Sequence, residues 1–151
     1  MIPSIKIDDN VWDDKEFDWN GKSFYYINFL SLFSNPIGLP GKLEQLMQDA
    51  RKSGFKVVGN MVLVERSMFG GEAMIEVEKM DKFDADIHNF EERTSVSTIV
   101  YRGSPGKLHE GIKRLREMVT LRKGMEPRKI YYAYTMASAS GSYKTILFAL
   151  T

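Results

Sequence analysis

Cysteine is absent from this chain, which removes disulfides and thiolate metal sites from consideration together. Histidine is scarce as well: His88 and His109 are the only two, so zinc chemistry has few ligands to work with. No apolar run approaches the roughly 18 residues that a membrane-crossing helix needs. Charge of one sign is missing too, because 21 basic residues stand against 20 acidic ones for a net +1. That balance argues against a dedicated nucleic-acid binder, which carries a basic face. The opening Met1-Ile2-Pro3-Ser4-Ile5-Lys6 lacks the basic region and long apolar block of a secretory leader. These absences together predict a soluble, cytoplasmic protein with neither nucleic acid nor membrane as a direct partner. What is present is core material. A hydrophobic share of 43% with 12% aromatics, in 151 residues, is enough for one compact domain and argues against disorder.

The most informative pattern is a repeat. Pro40-Gly41-Lys42-Leu43 recurs as Pro105-Gly106-Lys107-Leu108. Before each copy lies an apolar, aromatic run: Tyr26–Phe33 in one, Val96–Tyr101 in the other. After each lies a helix-like stretch ending in a basic residue and glycine, Lys52-Ser53-Gly54 and Arg122-Lys123-Gly124. Leu43, Leu46, Met47 and Ala50 fall at helical spacing, as do Leu108, Ile112, Leu115, Met118 and Val119. Each proline sits in a first turn, where its missing amide hydrogen is harmless, and Gly54 suits a left-handed helix exit. Two strand-like segments follow in each half: Val57–Val64 and Ala73–Val77 around a turn at Phe69-Gly70-Gly71, then Ile130–Met136 and Tyr143–Leu150. The pattern predicts an α+β domain made of duplicated βαββ units, an antiparallel sheet with two main helices and a pseudo-two-fold groove. In this reading the whole chain, 1–151, is a single domain. Residues 1–23 form an acidic N-terminal arm, 24–78 the first repeat, 79–94 a polar connector and 95–151 the second repeat.

The arm interleaves Asp8, Asp9, Asp13, Asp14, Glu16 and Asp18 with Trp12, Phe17 and Trp19. Two readings stay open, a solvated arm pinned by its aromatics and an acidic contact surface for a basic partner. Asn20-Gly21 predicts a hairpin between the arm and the first strand. The motifs for common chemistries are incomplete. Gly41-Lys42 and Gly106-Lys107 open helices, but the phosphate-loop pattern needs an earlier glycine where Pro36 and Tyr101 stand. It also needs Ser or Thr where Leu43 and Leu108 stand. Asp84-Ala85-Asp86-Ile87-His88 alternates oxygen and nitrogen ligands, yet lacks the glycine and distal glutamate of a calcium loop. Ser138, Ser140 and Ser142 lie outside any nucleophile-elbow context. No metal, catalytic triad or cofactor is expected from these segments. The aromatics offer more: Tyr26, Phe33, Tyr101 and Tyr131 are rings able to stack on a flat ligand. Strand alternation from Lys129 puts Lys129, Tyr131 and Ala133 on one face, and Ile130, Tyr132 and Tyr134 on the other.

The second half, from Ser97-Thr98-Ile99-Val100-Tyr101-Arg102-Gly103-Ser104-Pro105 through Lys129-Ile130-Tyr131-Tyr132 to Lys144-Thr145-Ile146-Leu147-Phe148, resembles the GyrI-like small-molecule-binding domains. These are related to the effector-binding domains of multidrug-responsive transcription activators and to the SOUL haem-binding proteins. The resemblance covers about 55 residues well and the first half more loosely. It implies a duplicated βαββ fold with a ligand groove between the repeats, and a role in sequestering or sensing hydrophobic, often cationic, aromatic compounds; some members hydrolyse reactive genotoxins. One departure matters. The family's pocket glutamate precedes an apolar residue and a tyrosine, and the matching position here is Lys129, before Ile130 and Tyr131. An ammonium there opposes cations and favours neutral or anionic groups.

Three readings follow from these residues. The leading one is a stand-alone, non-enzymatic binding protein, with no helix-turn-helix of its own. It holds a neutral or anionic, partly aromatic ligand through Tyr101, Lys129, Tyr131, Tyr26 and Phe33. The second is a protein–protein adaptor on the same fold with a closed groove, anchored by the acidic arm and Trp12 or Trp19. The third is a hydrolase of reactive small molecules, for which Glu126, Glu65 or Glu76 would have to supply the acid or base.

Overall fold

The structure is a computed structural model that describes residues 5–32, 35–36, 39–66, 70–79, 86–90, 93–135 and 143–151. Its elements follow in the order α1 (Asp9–Trp12), β1 (Lys15–Asp18), β2 (Lys22–Leu32), β3 (Asn35–Pro36), α2 (Leu39–Lys52), β4 (Val57–Arg66), β5 (Gly70–Val77) and β6 (Ile87–Phe90). They continue with β7 (Ser95–Gly103), a 3-10 turn (Pro105–Lys107), α3 (Leu108–Lys123), β8 (Lys129–Ala133) and β9 (Tyr143–Leu150). The fold is α+β, and the strand pairs given below are antiparallel. Contacts divide the chain into two compact units, Asn20–Glu92 and Ser4–Trp19 with Arg93–Thr151. Among the described residues, no helix is long and apolar enough to cross a membrane.

In the first unit, β5 lies between β2 and β4, and the far edge of β2 takes up β3 and β6. Helix α2 forms because Leu43, Leu46, Met47 and Ala50 recur at the helical period, and all four are buried. Each fully buried leucine contributes about 1.5–3 kcal/mol of transfer free energy. Arg51 and Lys52 in the last turn complement the negative end of the helix dipole. Gly54, at φ +84°, then reverses the chain at little conformational cost. Strand β6 corrects the sequence reading. Residues 87–90 fall inside the expected polar connector, but Ile87, His88, Asn89 and Phe90 pair with Tyr25, Phe24, Ser23 and Lys22. Residues 80–85 and 91–92 of that connector lie outside the described residues, as do Phe69 of the expected turn and Ser138, Ser140 and Ser142.

In the second unit the strand order is β1-β7-β9-β8. Ser104 caps the 3-10 turn, its Oγ accepting from the Gly106 amide at 3.2 Å. Helix α3 buries Leu108, Gly111, Leu115 and Val119 and exits through left-handed Gly124. Its close approach to the sheet is set by Gly111, where a Cβ would stand 2.6 Å from Tyr101 Cδ2 and 3.2 Å from Leu147 Cδ1. Tyr101 and Leu147 therefore mark the helix side of this sheet. By register, Ser97, Ile99, Ile130 and Tyr132 share that side.

The opposite side carries Val96, Thr98, Val100, Phe148, Tyr131 and Lys129. The N-terminal segment covers part of it. Trp12 and Trp19 approach Phe148 at ring centroid distances of 5.6 and 5.9 Å, and Phe17 lies 5.2 Å from Trp12. Strand β1 pairs with β7, so the Asn20-Gly21 turn does not close a hairpin between arm and β2; the Gly21 amide instead donates to Phe90 O. The reason is apolar burial. Pairing with β7 lays Trp12, Phe17 and Trp19 on the sheet side that α3 leaves open.

Candidate functional site

Each expected ligand-binding residue has a definite place, Phe33 excepted, which lies outside the described residues. Tyr101 is 7% exposed beneath α3, its hydroxyl donates to Ser104 O at 2.8 Å, and its ring meets Tyr143 edge-on at 6.2 Å. Tyr131 is 1% exposed and pairs in register with Phe148, on the side of the sheet away from Tyr101. Lys129 is exposed at the start of β8 and shares the Tyr131 side. Tyr26 belongs to the first unit, where it stacks on His88 at 4.0 Å with an interplanar angle of 11°. The sheet thus brings Lys129 and Tyr131 to one side and keeps Tyr101 on the other. Glu126 is exposed ahead of β8.

Sequence reasoning passed over Glu72. This carboxylate is only 5% exposed on β5, with Asn28 and Glu65 beside it in register on β2 and β4. His88 Nε2 lies 3.1 and 3.3 Å from its two oxygens. A buried carboxylate needs such partners, because desolvation without them is costly. His88 is about a third exposed at its side chain. The pair therefore sets its carboxylate inside and its imidazole toward water. Nearby on the same strand as Glu72, Glu76 is held by Lys22 in an ion pair, 3.2 Å to each oxygen. The alternation of β5 hinted at neither, since Glu72 and Glu76 fall in an otherwise apolar strand as ordinary solvent-side residues would. Asp84 and Ala85 of the segment compared with a calcium loop lie outside the described residues, and among those described no three metal-binding side chains converge.

The second unit contains a cleft of about 290 Å³ between the β1 segment and the last turns of α3. Val119 and Met118 supply apolar lining, and Ser97 reaches it from β7. Its rim is made of ion pairs: Arg122 to Asp14 at 2.6 Å, and Lys123 to Glu16. Lys123 also donates to Ser95 Oγ at 2.7 Å. The hydrogen bond from Arg122 holds the Asp14 carboxyl below its usual range, and Lys123 does the same for Glu16. Asp14 raises Arg122 in return. Asp9 is lowered first by its hydrogen bond from Lys144 and then by Arg102. Asp14, Glu16 and Arg122 are mostly exposed, so their pairs contribute little to stability, whereas Asp9 is half-buried.

Only Ser97 in this cleft belongs to the repeat pattern's first strand; the acidic side comes from the arm, whose docking site the sequence did not reveal. Comparison of the chain with protein-family models, curated proteins and solved structures finds no match.

Proposed function

We propose that this chain is a small-molecule-binding protein of the GyrI-like type, non-enzymatic and built from two copies of one βαββ unit. The observation that carries the reading is a shared connectivity. In one unit the order is β2, α2, β4, β5, and β5 pairs with both β2 and β4. In the other it is β7, α3, β8, β9, and β9 pairs with both β7 and β8. The repeated Pro-Gly-Lys-Leu lies at the start of both helices. Duplication is the economical account of two units that agree in order, pairing and helix entry.

Lys129 gives the reading its selectivity. It is exposed on the same sheet side as Tyr131, and an ammonium there attracts anions and repels cations. The ligand is accordingly neutral or anionic and partly aromatic. The adaptor alternative is weaker, since three of the arm's six acids already face cations of this chain. Asp9 pairs with Arg102 and Lys144, Asp14 with Arg122 and Glu16 with Lys123.

The test is a thermal-shift comparison of benzylamine, benzyl alcohol and benzoate on wild type and Lys129→Glu. A ligand that binds the folded state raises the melting temperature by mass action. Benzoate or the alcohol should stabilise wild type, and the substitution should transfer the preference to benzylamine. No shift from any of the three in either protein overturns the reading.

A further inference from the structure

The cleft of the second unit has features that its own ion pairs do not explain. Ser97 is 7% exposed and lines the cleft, yet among the described residues its hydroxyl has no hydrogen-bond partner. Among the described residues no buried side-chain oxygen is orphaned, so this hydroxyl opens onto the cleft rather than into packed protein. A hydroxyl that lines the cleft without a protein partner is free to hydrogen-bond to an occupant of that space. The volume, about 290 Å³, lies just below the range of roughly 300–1,000 Å³ usual for ligand pockets, so the occupant is smaller than a drug-sized molecule.

The charges narrow its chemistry. Glu16 faces Ser97 directly in register, and Asp14 stands two residues before it. Arg122 and Lys123 oppose them from the end of α3. Asp14, Glu16 and Arg122 are each about 60% accessible and Lys123 24%, so the Asp14–Arg122 pair exchanges partners at little cost and Glu16 can turn from Lys123 to an incoming cation. A singly charged molecule that enters frees one member of a pair and leaves it without its counter-ion. A molecule with both charges replaces each lost partner, carboxylate for carboxylate and ammonium for cation. Its short apolar part would rest on Met118 and Val119.

We propose that this cleft is a binding site for a free zwitterion of amino-acid size. The carboxylate is held by Arg122 and Lys123, the ammonium by Asp14 and Glu16, and the Ser97 hydroxyl completes the polar contacts. The site lies on the helix side of the sheet, whereas Lys129 lies on the other, so either proposal can fail without the other.

L-Valine, isobutylamine and isovalerate form a matched set: the same branched chain with both charges, the ammonium alone and the carboxylate alone. Each is titrated into the intact protein while amide resonances are followed by two-dimensional NMR. L-Valine should move the amides of Ser97, Met118, Val119 and Arg122 saturably, with a Kd at least tenfold below that of either singly charged probe. Molar salt should weaken it, and Ser97→Ala should weaken it severalfold. Met118→Trp fills the cleft and should abolish binding while distant resonances stay in place. Should that variant fail to fold, Ser97→Ala carries the test alone. Equal affinity for the three probes, shifts confined to residues elsewhere, or unchanged binding in Ser97→Ala overturns the proposal.

Discussion

Replacing Gly111 by alanine should destabilise the protein, against the preference of an isolated helix. In a helix interior the change from glycine to alanine is worth about 1 kcal/mol of added stability. Here the new methyl would stand 2.6 Å from Cδ2 and 3.2 Å from Cε2 of Tyr101, and 3.2 Å from Leu147 Cδ1. Neither neighbour has room to yield. Leu147 is fully buried, and the Tyr101 ring is tethered through its hydroxyl to Ser104 O at 2.8 Å. Overpacking of this kind costs about 1–3 kcal/mol, and a contact this short with an aromatic ring belongs at or beyond the upper end. The net expectation is a loss of roughly 1–2 kcal/mol. Urea unfolding followed by tryptophan fluorescence reads it as a midpoint lowered by about 0.5–1 M at unchanged slope. Two companions isolate the cause. Gly106→Ala, whose methyl would meet only Ser104 Oγ at an ordinary 3.6 Å, should be nearly neutral. In a Tyr101→Leu background the cost of the alanine should shrink or reverse, giving a coupling term in a double-mutant cycle. A Gly111→Ala protein as stable as wild type, or more so, would refute the reasoning that the helix rides on Tyr101.

Gly71→Ala should cost more than Gly111→Ala, because its methyl would collide with Glu65 O, a backbone atom, and stand 2.7 Å from Phe29 Cζ; chemical unfolding that ranks the two the other way would count against it. Acidification should loosen the N-terminal segment first. The carboxyls of Asp9, Asp14 and Glu16 are depressed by Lys144, Arg122 and Lys123 respectively, so their contribution is present above the ordinary carboxylate range near about 4 and is lost as pH falls through the lower folded values. Trp12 and Trp19 fluorescence should report this below pH about 4, with molar salt weakening the same contacts at neutral pH; emission that changes only with global unfolding would speak against it. The benzoate preference lost in Lys129→Glu and the selectivity for L-valine over its singly charged analogues complete the set.

The helices were legible because their information is local. Leu43, Leu46, Met47 and Ala50 state the buried face of α2 through spacing alone, and Gly54 states its end. The second helix was legible less completely: of the expected stripe Leu108, Leu115 and Val119 are buried but Ile112 and Met118 only partly, and buried Gly111 was not expected, since a glycine has no side chain to reveal which surface it meets. Strand segments were also readable as apolar runs, and alternation separates Lys129 and Tyr131 from Tyr132 within β8. That Tyr101 and Tyr131 occupy opposite sides of the sheet was not readable, because it depends on the registers of β7 and β8 against β9.

What the sequence determined by itself is the repeated part of the element order: two amphipathic helices opened by the same tetrapeptide, each followed by two strands, and no cysteine to constrain them covalently. Only the tertiary structure decided which side chains meet. Glu72 finds His88 through β6 pairing with β2, and Glu16 finds Lys123 through β1 pairing with β7. The physical reason is the range of the forces that choose. Helical periodicity and capping act within a few residues and leave a signature in the chain. Strand partners and ion pairs are selected by the burial of Trp12, Phe17, Phe24 and Phe148, a collective outcome that no short stretch of sequence encodes.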